Sequence, residues 1–388
     1  MIICPVCNGR EIKKDGIINR LIMSKNGRRK KRIQVYQCKN HHKFRTNYES
    51  QWDDSFIEYA VFIYLKCLSL NTTIDIIRAT YEESLLTKRL ILEFIEQTAD
   101  ALPTLGDIDR IFQPRRSGYL AFDGVWFKLG NSDVVLLVCF DPETFDIIEA
   151  IWSGEESEAG YTKLIKKALA KIEKEKIKGI YGDGDRGLLS SLKKHLAEIP
   201  FQLCTVHKEM RMGQIVPVKI VRRSKKMTKQ VKKEILVFQK LFRQAIYAET
   251  KESAYKGLDK LKIFTDNSTQ ERFKKAYRSL KRNFKLTLTH FDNSGMARNN
   301  NLIECFNSCI KPRLKLMRSF KKKENLNRYL KLFLLEFRFH PLKESRFKER
   351  RNQSPLELGN VYLPKYYNFI NFLRRHLKLS FQLNSPRF

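Results

Sequence analysis

Residues 177–207, IKGIYGDGDRGLLSSLKKHLAEIPFQLCTVH, decide the fold. Gly179, Ile180 and Tyr181 form a short apolar run that stops at Gly182-Asp183-Gly184-Asp185. Leu188, Leu189, Leu192 and Leu196 then recur at helical spacing. Pro200 ends that pattern, and Phe201, Leu203 and Thr205 alternate as a second strand. The stretch therefore reads strand, helix, strand. Its carboxylates stand at the carboxyl end of the first strand, where parallel α/β sheets take their ligands. Taken alone, Gly-Asp-Gly-Asp is equally a solvated turn, so its meaning depends on what flanks it.

Upstream lie three strand-like runs, YLAFDGVWFK at 119–128, VVLLVCF at 134–140 and FDIIEAIW at 145–152. The second is almost wholly apolar, the mark of a strand buried on both faces. Asp141-Pro142-Glu143-Thr144 supplies a turn before the third. Leu164, Ile165, Ala168, Leu169 and Ile172 predict an amphipathic helix over 161–174. The order β-β-β-α-β-α-β is that of the ribonuclease-H-like fold. In that fold the first and fourth strands are neighbours, which predicts Asp123 and Asp183 across about 5 Å of strand spacing. An aspartate on a strand of Tyr, Leu, Ala, Phe, Val and Trp is costly to bury unless it is paired or holds a cation. Two such carboxylates suit Mg²⁺, which takes oxygen ligands and keeps waters for phosphate. Two-metal phosphoryl transfer requires at least one more carboxylate.

The chain has 388 residues, 75 basic and 42 acidic, for a net charge of +33. Such a surplus favours a polyanionic partner, because neutralising phosphates releases counterions. Residues 1–50 carry 13 basic and 3 acidic side chains, 208–295 carry 23 and 8, and 296–388 carry 21 and 6. Residues 117–207 carry 11 and 14. A mildly acidic α/β segment flanked by basic ones fits a cation-holding centre with nucleic acid around it. No stretch approaches the ~20 apolar residues of a membrane span, and the start MIICPVC lacks the form of a signal peptide. A cytoplasmic protein is expected, its eight cysteines thiols or metal ligands rather than disulfides.

Cys4-Pro5-Val6-Cys7 and Cys38-Lys39-Asn40-His41-His42 make two knuckles with four ligands for tetrahedral zinc. The arrangement reads as a zinc ribbon over 1–50, with Arg28, Arg29, Lys30, Lys31 and Arg32 as a DNA-binding basic loop. His41 keeps the knuckle spacing and is the preferred fourth ligand; His42 is the alternative. Residues 51–116 read as helical, compatible with a helix-turn-helix DNA reader or with a plain linker bundle. Residues 208–295 read as an all-helical insertion. Residues 296–340 return to the catalytic domain begun at 117–207, and 341–388 form a basic helical tail. In ARNNNLIECFNSCIKPRLKLMRSF, residues 297–320, Leu302, Ile303, Phe306 and Ile310 form a helical stripe, with Glu304 and Asn307 beside it. Arg298, Lys311, Arg313, Lys315 and Arg318 are candidate phosphate contacts.

FDG at Asp123, GDGDRGL at Asp183, Cys204-Thr205-Val206-His207, and NNLIECFNSCIKPRLK at Glu304 together resemble the DDE transposases of the Mutator-like superfamily and their bacterial insertion-sequence relatives. The resemblance covers roughly 117–340. It implies a metal-binding catalytic triad of Asp123, Asp183 and Glu304, with Asp185 as runner-up to Asp183, and Mg²⁺ or Mn²⁺ as cofactor. Cys204 and His207 match a C-x-x-H signature near the site. The resemblance further implies binding of terminal inverted repeats, strand cleavage and strand transfer on double-stranded DNA, and a homo-oligomer. The alternative is a non-catalytic DNA-binding regulator or an inactive remnant.

Overall fold

The apolar run from Val134 to Phe140 is buried throughout because it forms an inner strand, paired on both edges, in a computed structural model of the chain. The structure describes residues 2–45, 52–66, 69–81, 86–221, 223–225, 227–316, 320–364 and 368–379. In chain order the elements are β1 (Ile12–Ser24), β2 (Gly27–Cys38), β3 (Lys43–Phe44), α1 (Asp54–Lys66), α2 (Leu70–Tyr81), α3 (Lys88–Ala101) and α4 (Leu105–Phe112). There follow β4 (Tyr119–Leu129), β5 (Ser132–Asp141), β6 (Asp146–Ser153), α5 (Glu158–Leu169), β7 (Gly179–Gly182), α6 (Arg186–His195) and β8 (Phe201–Leu203). Then come α7 (Thr205–Ile215), α8 (Lys229–Ile246), α9 (Lys251–Asp266), α10 (Glu271–Lys281), α11 (Asn301–Leu316), α12 (Lys323–Phe339), α13 (Pro355–Leu358) and α14 (Phe369–His376). Among the described residues no helix is long and apolar enough to cross a membrane.

The chain divides into two compact units. One holds Asp109–Ser319 and Pro341–Tyr362. Its centre is a mixed five-stranded sheet in the order β6-β5-β4-β7-β8. The first three strands pair antiparallel, while β4 with β7 and β7 with β8 are parallel. The element order read from the sequence is therefore present, with shifted ends: α6 stops at His195, well before Pro200, and Thr205 starts a helix instead of continuing β8. Leu120 and Phe122 of β4 join Leu137, Leu164, Ile165, Leu188 and Leu192 in one core that covers one face of the sheet with α5 and α6. Strand alternation turns Asp123 to the other face, where α11 packs on β4 and Phe306 lies 5.8 Å from Phe140. Between β8 and α11, the helices α7 to α10 close around a separate core built on Phe238, Phe242 and Phe273. Phe238 and Phe273 stack at 4.7 Å.

The other unit holds Met1–Ile108, Phe320–His340 and Leu363–Phe388. Residues 320–340, grouped by sequence with the catalytic segment, cluster here because α12 packs on α1 and α3. Tyr329 meets Tyr64 at 6.0 Å, and the Arg328 guanidinium grips both Asp100 oxygens at 2.9 and 2.6 Å. The hairpin of β1 and β2 is exposed on both faces over Lys13–Asn19 and Arg28–Lys30, because its strands show no alternating burial there. Its base is covered by a small cluster of Cys4, Cys38 and Phe44, and towards the turn Ile22, Met23 and Ile33 are buried, with α1 packed on β1.

Candidate functional site

Parallel pairing of β4 with β7 aligns Ala121 with Tyr181. Asp123 and Asp183 each lie two residues beyond that pair, so the two strands deliver both aspartates to the same end of the sheet. Asp123 is 7% exposed. Its Oδ1 accepts the Gly124 N–H at 2.8 Å, and its Oδ2 accepts from Asn307 Nδ2 at 2.6 Å. Burial, then the charges of Glu304 and Asp183, push its carboxyl up to about 7, against the pull of His207. Asp183 follows the last residue of β7, and its Oδ1 accepts the Asp185 N–H at 2.9 Å. Burial raises its pKa as well. Asp185 has a different occupation. It caps α6, its Oδ1 accepting from Gly187 N at 2.7 Å and Leu188 N at 3.3 Å, the usual use of an aspartate at a helix start.

Glu304 stands on the first turn of α11. Its Oε1 is 3.1 Å from His207 Nε2, and its Oε2 is 3.8 Å from Lys311 Nζ. The His207 imidazole holds the Glu304 carboxyl below the ordinary range, despite partial burial. Cys204 and Glu304 beside it in turn raise the imidazole pKa, which favours its charged form. Cys204 is buried at the N-cap position of α7, which places His207 on the first turn. Donor atoms of Asp123, His207 and Glu304 all lie within 4.8 Å of one another. Asp183 is not within that radius of all three, but its charge acts on Asp123.

Two residues at this end of the sheet had no assigned role in the sequence reading. Asn307 is fully buried and donates to Asp123, while its own Oδ1 lacks a partner. Its position one helical turn after Glu304 was the available signal. Glu156 sits in a Ser-Gly-Glu-Glu-Ser loop that reads as ordinary surface. It accepts from Trp126 Nε1 at 3.0 Å. Burial, then Asp183, Asp185 and Asp123, push its carboxyl up to about 7.

The other unit brings Cys4, Cys7, Cys38 and His42 together, their donor atoms mutually within 4.8 Å. His42, not His41, completes this group. His41 adopts a left-handed backbone, φ 62°, and its Nδ1 lies 3.4 Å from Gln37 Nε2. That turn carries the next residue inward, where His42 Nδ1 lies 3.8 Å from Cys4 Sγ and 3.5 Å from Cys38 Sγ. Cys7 and Cys38 are 3.8 Å apart at sulfur. A tetrahedron with Zn–S of about 2.3 Å and Zn–N of about 2.0 Å has edges of roughly 3.5–3.8 Å, so the four donors have the spacing of a zinc site.

The basic residues divide. Arg28, Arg29, Lys30 and Arg32 are exposed on β2 and Lys31 is half-buried; Arg29 also meets Asp53 Oδ2 at 3.1 Å. Arg298, expected on phosphate, aims its guanidinium at the carbonyls of Tyr247 and Ala248, both at 3.3 Å. Arg313 is half-buried on α11. Lys315 belongs to the same helix by its backbone, and Arg318 lies outside the described residues.

No curated protein matches the chain. A family model described as Transposase, Mutator family, matches residues 143–340. Asp183, His207 and Glu304 fall inside that segment, and Asp123 precedes it.

Proposed function

Because this chain belongs to the Mutator family of transposases, we propose that it cuts and joins DNA at a divalent-cation site formed by Asp123, Asp183 and Glu304. The observation that carries the proposal is Asp123, a carboxylate buried on an apolar strand, beside Glu304, with its pKa raised by its acidic neighbours. Excess negative charge on hard oxygen donors suits Mg²⁺ or Mn²⁺. Asp183 is preferred to Asp185 because the latter is occupied as the cap of α6. The strand order, three antiparallel strands then two parallel ones, supports a ribonuclease-H-like catalytic domain, into which α7 to α10 are inserted. Asp123, Asp183 and Glu304 would hold divalent cations there, which would supply Lewis-acid activation of a water or a DNA 3′-hydroxyl for in-line attack on phosphorus. The chain's own groups prepare the site. Asn307 fixes the direction of Asp123, and His207 with Lys311 holds Glu304 until a cation competes for its oxygens. Terminal inverted repeats are the proposed substrate and a homo-oligomer the proposed assembly. For the N-terminal group, the proposed ion is Zn²⁺ on Cys4, Cys7, Cys38 and His42.

The test is nicking of supercoiled plasmid carrying the element ends, in Mg²⁺ or Mn²⁺, by the parent and by Asp183→Asn. The parent is expected to nick and the variant is not, with DNA binding nearly unchanged. Equal cutting by both removes Asp183 from the site. Binding without cutting by the parent under either cation favours a DNA-binding regulator instead.

The basic stretch of β2 yields a second expected result. Each phosphate neutralised contributes about 0.9 to the slope of log affinity against log salt. Replacing Arg28, Lys30 and Arg32 with alanine is expected to flatten that slope by about 2 to 3, measured by fluorescence anisotropy on duplex DNA. An unchanged slope takes the hairpin out of the DNA interface.

A further inference from the structure

We propose that Glu156 is a fourth carboxylate ligand of the divalent-cation site, an inference that rests on the reading of that site given above. Glu156 lies between the end of β6 and Ser157, the N-cap of α5. Two glycines make room for the turn that carries it, Gly124 next to Asp123 and Gly187 near the start of α6. A Cβ on Gly124, the neighbour of Asp123, would fall 1.9 Å from Glu156 Oε1. A Cβ on Gly187, four residues after Asp183, would fall 2.9 Å from the Glu156 carbonyl oxygen and 2.6 Å from the Ser157 carbonyl carbon. The turn carrying Glu156 is therefore seated against both acidic segments, with its carboxylate lying on the backbone next to Asp123.

The partners of Glu156 point the same way. Among the described residues its side chain takes one hydrogen bond, from the neutral Trp126 indole to Oε1 at 3.0 Å. In a chain with 75 lysines and arginines, no basic side chain among the described residues pairs with it. Two carboxylates on β6 itself differ: the buried Asp146 meets Arg116 at 2.6 Å and the half-buried Glu149 meets Lys171 at 3.2 Å. A half-buried carboxylate within electrostatic reach of three aspartates, with no cation of the protein's own among the described residues, has the chemistry of a ligand for an added one. The competing role is purely local, an anchor for the half-exposed Trp126.

Mn²⁺ binding to the full zinc-loaded chain, read as loss of the free-ion EPR signal, separates these roles without any turnover. Glu156→Gln keeps an acceptor for Trp126 and removes the charge, and is expected to weaken Mn²⁺ binding about tenfold or more. Gly124→Ala keeps the charge and displaces the carboxylate, and is expected to weaken it too. Trp126→Phe removes the anchored group and is expected to leave Mn²⁺ affinity within about twofold. Asp183→Asn is measured alongside. If Asp183→Asn weakens binding and Glu156→Gln does not, Glu156 is only an anchor and the inference is overturned while the site stands. If the parent binds no Mn²⁺ that either variant affects, the site and the inference fall together.

Discussion

Asp123→Asn is expected to produce a protein that no longer cuts DNA and that, without divalent cations, melts at a higher temperature than its parent. The folded protein raises the Asp123 carboxyl from an ordinary carboxylate value to about 7. A folded state that binds the proton more tightly than the unfolded state loses stability as pH rises between the two values. The penalty is thus nearly absent at pH 4, grows up to pH 7 and is fully present above it. An amide carries no such penalty. It also fits, because Asn307 Oδ1 is buried without a partner. Turning the Asn307 amide over lets that oxygen accept from an amide NH₂ at 123, in place of the present Nδ2 to Oδ2 bond. The gain is on the order of 2 kcal/mol after screening, or roughly 5 °C in Tm for a fold of this size. Thermal scans at pH 8 in divalent-free buffer, zinc retained, measure it, and the gap should close as pH falls toward 4. Added Mg²⁺ should raise the parent's Tm and not the variant's. Activity moves the other way. Cation stabilisation of the transition state is worth several kcal/mol, about 10³-fold in rate or more. A variant that is less stable at pH 8, or that still cuts, removes Asp123 from the cation site.

The same residue shows why much of this site could be read from sequence. Asp123 breaks an otherwise apolar strand, and a strand order fixed by one crossover helix puts the end of β7 beside it. Both signals are periodic and local. Glu304 and His207 come together through α11 and α7, separated by a helical insertion with its own core, and only a family resemblance joined those segments. Glu156 could not be found because nothing in Ser-Gly-Glu-Glu-Ser marks a loop pressed against glycines 124 and 187. The resemblance ranked Asp185 below Asp183, but its work as the cap of α6 is visible only in its hydrogen bonds, as that of Arg298 is only in its carbonyl partners. His41 was preferred on spacing; the left-handed turn at 41, which spacing does not reveal, moved the ligand to His42. Residues 320–340 changed company because the apolar face of α12 fits helices far away in sequence.

Removal of zinc is expected to unfold the N-terminal ribbon while the unit containing Asp109–Ser319 keeps its structure. The ribbon's core comprises Cys4, Cys38 and Phe44, with Ile2, Cys7, Ile12 and Tyr36 partly covered against it. Two of the three buried members are themselves ligands, so this end of the hairpin buries almost no apolar surface without them, Ile22, Met23 and Ile33 being buried nearer the turn. Ordering about 40 residues costs of order 1 kcal/mol each or more. Structural zinc supplies about 10–16 kcal/mol, the largest single favourable contribution available to a segment with so small a core. The burial-driven rise of the Cys4 thiol is outweighed by donors from the Cys7 and Val6 backbone and the neighbouring thiols, which bring it down to about 6. A thiolate is therefore present near neutral pH, as zinc requires. One zinc per chain is expected by elemental analysis, with Cys4→Ser losing it. Hydrogen exchange should then show residues 2–45 unprotected and the β4 to β8 sheet still protected. Alanine at His42 should release zinc at far lower chelator concentration than the parent, and alanine at His41 should not. If His41→Ala is the variant that releases it, the ligand set returns to the one that spacing alone suggests. If neither the parent nor any variant contains zinc, the four donors, mutually within 4.8 Å, are a cluster of three thiols and an imidazole and not a metal site.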